Sequence, residues 1–405
     1  MPALLPTELH EYSLRDVVLG LALMWHPAEH GERVAIPGLG DAIPIRSARA
    51  AVVIALKALG MSEGSRIGVP LFCCPVVFKA IRAAGCTPRF IDIDPDTYCL
   101  SPEDLLLKRP SIDALIAVHM FGNVCDMPKI LEIVKGLPVI EDCAQSLGSK
   151  VGDLPSGSFG DIAFFSFRSG KYLAVGEGGA LFSPQKALQD RLADLVRTLP
   201  VPGRGEEFKH VLRTYVRSKL RSRPWWGWMG SRIWAIYNKR TEFLDKSPLI
   251  LSRIFASDLA AVSRRMPRLG SMIAARRANA EYLDKSLVQN TGTTGLREQE
   301  NFSNRFMYPL QFRSTVHRDQ VARSLRSRGV GTSTPYEDVI SGTTEHYGYQ
   351  GDCPTAERLL KRTLVIPSYQ TLTKRDIEHI SCSVNLSMQE LAYGGSGREA
   401  RKGAS

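Results

Sequence analysis

From about Ser47 to Phe182 the chain alternates short apolar runs with amphipathic stretches. The runs are Ile67 to Val69, Phe90 to Ile93, Ala114 to His119, Val139 to Glu141, Ile162 to Phe165 and Ala180 to Phe182, each of strand length. Between several of them, segments such as Val76 to Ala84 and Met127 to Val134 repeat apolar positions at the helical period. The alternation predicts an α/β domain built on a mostly parallel sheet. In such sheets ligands collect beyond the carboxyl ends of the strands, and there the apolar runs give way to His119, Asp142 and Ser166.

The stretch from roughly 200 to 250 breaks this rhythm. It is basic and Trp-rich, carries Pro202, Pro224 and Pro248, and reads as an insertion. A long helical pattern from about Leu259 to Leu287 then leads to a smaller C-terminal α/β unit containing Tyr308 to Phe312, Arg318 to Arg328 and Leu364 to Ile366. The expected organisation is an N-terminal segment (1–45), a large α/β domain (46–200), the insertion (201–250) and the long helix with the small domain (251–392). A Gly/Ser/charge-rich tail (393–405) is expected to be disordered.

Composition narrows the functional class. At 405 residues, 44% hydrophobic, the chain can bury a large core and suits two domains. It has no 18-residue apolar run, and the early stretch Val17 to Trp25 is short and follows Asp16 rather than a basic region. Neither a spanning helix nor a signal peptide is expected, which favours the cytoplasm. The eight cysteines show no CxxC or Cys/His ligand spacing, so reduced thiols and no metal are expected. The net charge of +11 is concentrated: Arg204 to Arg240 holds ten Lys/Arg against two Glu, which argues against a nucleic-acid face. Within Arg213 to Tyr237 the cations stand beside Trp225, Trp226, Trp228 and Trp234. That mixture suits the headgroups of an anionic membrane, at its inner face, and equally a lid or a dimer-packing arm with buried tryptophans.

Four segments offer chemistry. Asp142 ends a strand within Ile140-Glu141-Asp142-Cys143-Ala144-Gln145; it is a candidate partner for a pyridinium nitrogen, or a helix cap. Asp161 to Lys171 gives an apolar strand, the Ser166 hydroxyl at its end, a turn of small residues and a lysine. In an apolar pocket the Lys171 amine would be nucleophilic; otherwise it is a loop lysine on the surface. The glycines of Gly176-Glu177-Gly178-Gly179 favour the pocket by letting backbone approach a ligand. At Arg46-Ser47-Ala48-Arg49 a turn opens a helix whose N-terminus suits a phosphate, or is an ordinary capped start. An amine, a buried carboxylate, phosphate donors and packing for a ring are what pyridoxal 5'-phosphate (PLP) chemistry needs.

In their order and combination these segments resemble the DegT/StrS family of PLP-dependent sugar aminotransferases, of fold type I. The resemblance is strongest from about 47 to 183, through Gly-Ser-Phe-Gly-Asp at 157–161, Glu-Asp-Cys-Ala-Gln at 141–145, Ser-Phe-x-x-Gly-Lys at 166–171 and Gly-Glu-Gly-Gly at 176–179, and resumes more weakly from about 252. It implies a large domain with a mostly parallel central sheet, a smaller C-terminal α/β domain and a homodimer. It also implies amino transfer from a donor such as glutamate to a nucleotide-activated keto sugar. Lys171 would hold PLP as a Schiff base and move a proton, Asp142 would pair with the ring nitrogen, and Gln145 would lie near the ring hydroxyl. Ser166 and the Ser47-Ala48-Arg49 turn would take the phosphate. His119, in Val118-His119-Met120-Phe121-Gly122, matches a family segment near the cofactor, with a hydrogen-bonded core histidine as the other account. Three positions depart from the pattern: Arg49 stands where a small or hydroxyl residue is usual, Cys74 where an aromatic often stacks, with Phe72 as a substitute, and Ser252-Arg253-Ile254-Phe255 lacks the usual Asn. Two other functions fit the same fold: keto-sugar dehydration, against which retention of Lys171 argues, and a non-catalytic regulatory protein.

Overall fold

The computed structural model describes residues 4–8, 10–25, 33–222, 225–226, 249–287 and 302–402. Every apolar run read from the sequence forms a strand of one sheet. The strands, in chain order, are β1 (Val34–Ile36), β2 (Gly40–Ile45), β3 (Arg66–Pro70), β4 (Thr87–Ile91), β5 (Ala114–Val118) and β6 (Val139–Asp142). After a small hairpin, β7 (Lys150–Val151) and β8 (Leu154–Pro155), come β9 (Ile162–Ser166) and β10 (Gly179–Phe182). The eight-stranded sheet has the order β1-β2-β10-β9-β6-β5-β3-β4. Its β4, β3, β5, β6 and β9 run parallel, and β10 lies antiparallel between β9 and β2. All five residues of β5 are buried, as a central strand covered on both faces requires. The β1–β2 hairpin carries the sheet into the stretch read as an N-terminal segment. Pro44 inside β2 obscures that strand in the sequence, because proline weakens a strand pattern.

Helices cover the sheet. They are α1 (Leu14–Trp25), α2 (Ala48–Ala58), α3 (Pro75–Ala83), α4 (Pro102–Lys108), α5 (Met127–Ile133) and α6 (Lys186–Arg197). Helix α2 is buried along nearly its whole length, between the sheet and α3 and α6. Most of the first half of the basic insertion is one regular helix, α7 (Arg204–Leu220), packed on α1. Arg223, Trp228, Arg232 and Trp234, also assigned to the insertion, lie outside the described residues.

The single long helix expected over Leu259 to Leu287 is two: α8 (Ala256–Arg265) and α9 (Leu269–Ser286), parted by a 3-10 turn at Met266–Arg268. Pro267 in that turn has no N–H for the helical ladder, which explains the break. The C-terminal unit then pairs β11 (Tyr308–Gln311) with a late strand and adds α10 (Thr315–Ser327), α11 (Val339–Tyr347), α12 (Pro354–Arg362), β12 (Thr363–Ile366) and α13 (Lys374–Lys402). Leu283, Leu310, Val321, Leu325, Leu364 and Ile380 form its core. Helical backbone in α13 continues to Lys402, through most of the stretch expected to be a disordered tail. The chain has no proline after Pro367 to stop that helix. The two units join where Asp92, just past β4, accepts the Thr355 and Ala356 N–H groups at the start of α12, at 3.0 and 2.7 Å. Among the described residues no helix is long and apolar enough to cross a membrane.

Candidate active site

The carboxyl ends of β5, β6 and β9 bring the predicted chemistry together. In the parallel register Asp142 is opposite Val118 of β5 and Phe164 of β9, so its side chain leaves the sheet where those strands end. The Asp142 carboxylate is buried and accepts the Ala144 N–H at 2.9 Å. Burial raises its pKa, opposed by that N–H and by the nearby Lys171. Lys171 follows β9 in a turn closed by its own N–H donating to the Arg168 carbonyl at 2.9 Å, and its Nζ stands 5.0 Å from the Phe306 ring centroid. Burial, and then Arg168, lower the pKa of this amine, while Asp142, Cys74 and Glu8 act the other way. Lys171 and Asp142 are thus close enough to influence each other's ionisation, and burial disfavours the charged form of both.

The loop after Lys171 is held from several sides. Asp258, fully buried on α8, accepts the N–H groups of Gly176 and Glu177 at 2.9 and 2.8 Å. Helix α7 sends Arg217 to the Ser169 hydroxyl at 3.0 Å and the Gly176 carbonyl at 3.2 Å. The His210 ring stacks on Phe255 at 3.9 Å, the Arg46 guanidinium lies 3.9 Å from the same ring, and Arg46 bonds Glu177 at 2.6 Å. The glycines here are required by closeness. A Cβ on Gly176 would lie 2.5 Å from His210, and one on Gly179 would lie 2.7 Å from the Phe165 carbonyl and 2.8 Å from the Ala48 nitrogen. The same closeness gathers the expected phosphate residues, since Ser47 bridges to Gly178 and Ser166 pairs with Gly179. Ser47 caps α2, its hydroxyl accepting the Ala50 N–H at 3.2 Å, and Arg49 is the second residue of that helix.

Gln145 anchors the other side of the pocket. Its amide donates to the Tyr336 hydroxyl at 3.2 Å and accepts the Phe121 N–H at 3.2 Å. Tyr336 comes from the C-terminal unit and was not legible as a site residue; Glu141 and Asp258 were likewise unassigned. Phe121, Ala174 and Tyr336 all hold positive φ, so backbone strain gathers around the pocket, as it does at functional sites. Two further positions have defined packing. His119 takes the core account: it is fully buried, its Nε2 lies 2.9 Å from Glu141, and its Nδ1 accepts the Cys125 N–H at 3.2 Å. The neighbouring ring, Phe72, packs into the core. It is fully buried and edge-packed on Tyr98, Phe121 and Tyr336, whereas Cys74 is part-exposed as the N-cap of α3. His119, Glu141 and Cys143 bring ligand-type atoms within 4.8 Å of one another, yet the Glu141 oxygens are spent on the N–H groups of Gly157, Phe159 and Gly160 and on His119. That cluster is a buried hydrogen-bond hub rather than a metal site.

Comparison with known proteins bears on the family and the fold. The profile described as the DegT/DnrJ/EryC1/StrS aminotransferase family matches residues 35–385. The chain is 29% identical to GDP-perosamine synthase of Escherichia coli O157:H7, with 85% of each chain covered. It is 27% identical to a UDP-N-acetyl-3-dehydro-alpha-D-glucosamine 3-aminotransferase of Acidithiobacillus ferrooxidans, over 87% of this chain and 86% of the other. Its fold matches that of the aminotransferase TlmJ from Streptoalloteichus hindustanus with a TM-score of 0.73, at 22% identity, over 96% of this chain and all of the other. With an amine, a buried carboxylate and a glycine-lined turn at the carboxyl ends of a type-I sheet, and with the profile spanning most of its length, the chain belongs to the DegT/DnrJ/EryC1/StrS aminotransferase family.

Proposed function

We propose that the protein uses PLP to move an amino group from glutamate to the keto carbon of a nucleotide-activated sugar. The observation that carries this reading is that Lys171, an amine with a lowered pKa, and the buried Asp142 lie within electrostatic reach of each other in a chain of the DegT/DnrJ/EryC1/StrS aminotransferase family. The substrate class rests on the relatives that act on GDP- and UDP-linked sugars.

The residues fit the cofactor. Lys171 offers the amine, Asp142 a carboxylate for the ring nitrogen and Gln145 an amide, with the part-exposed Cys74 at the start of α3. Ser47, Ala48, Arg49 and Ser166 lie where glycines bring two backbone segments together, a cradle that side chains would fill. Helix α2 has no acid in its first turn, and the free N–H groups at its start suit a phosphate. Bound PLP supplies an aldehyde for the amine and a protonated ring that takes up electrons when a C–H bond breaks. Burial keeps Lys171 able to give up and take back a proton at the substrate carbon, and Asp142 keeps the ring nitrogen protonated. Gln145, tied to Tyr336, orients the pocket wall.

The keto-sugar dehydratase reading predicts a product without new nitrogen. Incubating the PLP-loaded protein with glutamate and a panel of nucleotide keto sugars, with products weighed by mass spectrometry, should give an amino sugar; a deoxygenated product lacking nitrogen would overturn the proposal. The homodimer rests on the family alone and is tested by the mass of the particle in solution.

A further inference from the structure

Among the described residues an apolar surface of five side chains lies uncovered on the helix pair α1 and α7, apart from Leu106 and Leu107 on α4 and other exposed apolar side chains elsewhere. Leu14, Val18, Phe208, Leu212 and Val216 are each between 47% and 62% exposed. On α7 the exposed positions recur every four residues, beside a buried face made by Glu207, His210, Val211, Thr214 and Ser218. The two helices run antiparallel. The Tyr12 N–H, just before α1, donates to Ser218 at 2.9 Å, and Gly20 is so close to Val211 that a Cβ would stand 2.9 Å from it.

Rotation around each axis places the stripes. Helix α1 meets α8 through Asp16, which bonds Arg264 and Arg265, and meets α7 at Gly20. Helix α7 meets α8 through Glu207, which accepts the Ser257 N–H at 2.9 Å, and meets α1 at Val211. At about 100° per residue, continuing past each mutual contact brings the exposed stripe of both helices onto the same side, away from α8. Arg15, Lys209, Arg213 and Lys219 are exposed around it.

We infer that this α1–α7 face is a docking surface for the anionic headgroups of a phospholipid bilayer. Monomeric surfaces rarely leave such a stripe to water without a partner. Its chemistry selects lipid over a second copy of the chain. A two-fold self-contact sets a patch against its own image, so four cations ringing the apolar stripe would meet like charge. A bilayer carrying phosphatidylglycerol takes the apolar side chains at the level of the headgroups and answers the cations. Catalysis elsewhere in the chain is not needed for this contact, so the two readings fail independently.

The test is co-sedimentation of the full-length, PLP-loaded protein with vesicles of phosphatidylcholine alone or mixed with phosphatidylglycerol. Binding should be confined to the anionic vesicles and fall by about tenfold as ionic strength rises toward molar salt, where screening shortens to a few ångströms. Leu212→Glu, at an exposed helix position that a folded chain tolerates, should cut binding by about tenfold or more while Leu212→Phe keeps it, and both should retain wild-type cofactor absorbance and particle mass. Absence of binding to anionic vesicles, equal binding to neutral ones, or wild-type binding by Leu212→Glu would overturn the inference. A halved particle mass in Leu212→Glu would do so as well, by assigning the stripe to a subunit seam.

Discussion

Burial sets the chemistry of single residues at this site. The Asp142 carboxyl has its pKa raised above 3.8 by desolvation, so between 3.8 and the raised value the folded protein holds a proton that the unfolded chain has lost. Its stabilising contribution is thus present below pH 3.8 and lost as pH rises through the folded pKa. Asp142→Asn removes that burden. The cofactor-free variant should melt about 1 to 3 °C above wild type at neutral pH, the gap should close in acid, and transamination should collapse. Equal melting temperatures at neutral pH would show that the carboxylate carries no such cost. Arg49→Ala should weaken PLP binding about tenfold, as expected for losing a hydrogen bond to a charged group; titration of the apo-protein checks it, and unchanged affinity would return the phosphate to Ser47, Ser166 and the helix end. The sequence displayed Asp142 and Lys171 because strand-end acids and turn lysines stand out against apolar runs. It could not tell the core histidine from a ligand at His119, nor single out Glu141, since those roles depend on which backbone N–H groups the fold turns toward them.

Among the elements, the glycine strand and α7 matter most to the lysine loop. Gly179 lets β10 lie against the turn that starts α2, so Gly179→Ala should force that turn outward. It should lower stability by about 2 to 4 kcal/mol and strip PLP from the protein, read by thermal unfolding and cofactor content. A fully loaded Gly179→Ala protein of wild-type stability would contradict the close approach. Strands β3, β4, β5, β6, β9 and β10 were legible because each is a short apolar run ended by turn residues. The β2 strand was hidden by Pro44, and the α8–α9 break by reading a helical period across Pro267. Helix α7 illustrates a different limit. Its basic composition suggested an appendage, yet Arg217 and His210 on it touch or adjoin the loop that carries Lys171. Composition reports charge and hydrophobicity, and says nothing of which face of a helix is buried.

Across the whole molecule, the candidate site residues lie near where the large sheet meets the C-terminal unit, with Gln145 and Tyr336 bonded across that boundary. The sheet's topology was readable from the alternation of strand and helix, and the general position of the pocket followed from it. The contribution of Tyr336 was not, because it lies almost two hundred residues from Gln145 in sequence and arrives only through tertiary packing. On the proposed function, Lys171 and Asp142 together run a two-stage transfer in which nitrogen is stored on the protein between substrates. The most direct measurement loads the protein with PLP, exposes it to nitrogen-labelled glutamate, removes the glutamate, and then adds a nucleotide keto sugar. Label should appear in the sugar amine at about one equivalent per site, and none from Lys171→Ala, where loss of the amine removes both nucleophile and proton carrier. A sugar product that stays unlabelled, or a Lys171→Ala protein that transfers as much label as wild type, would contradict it.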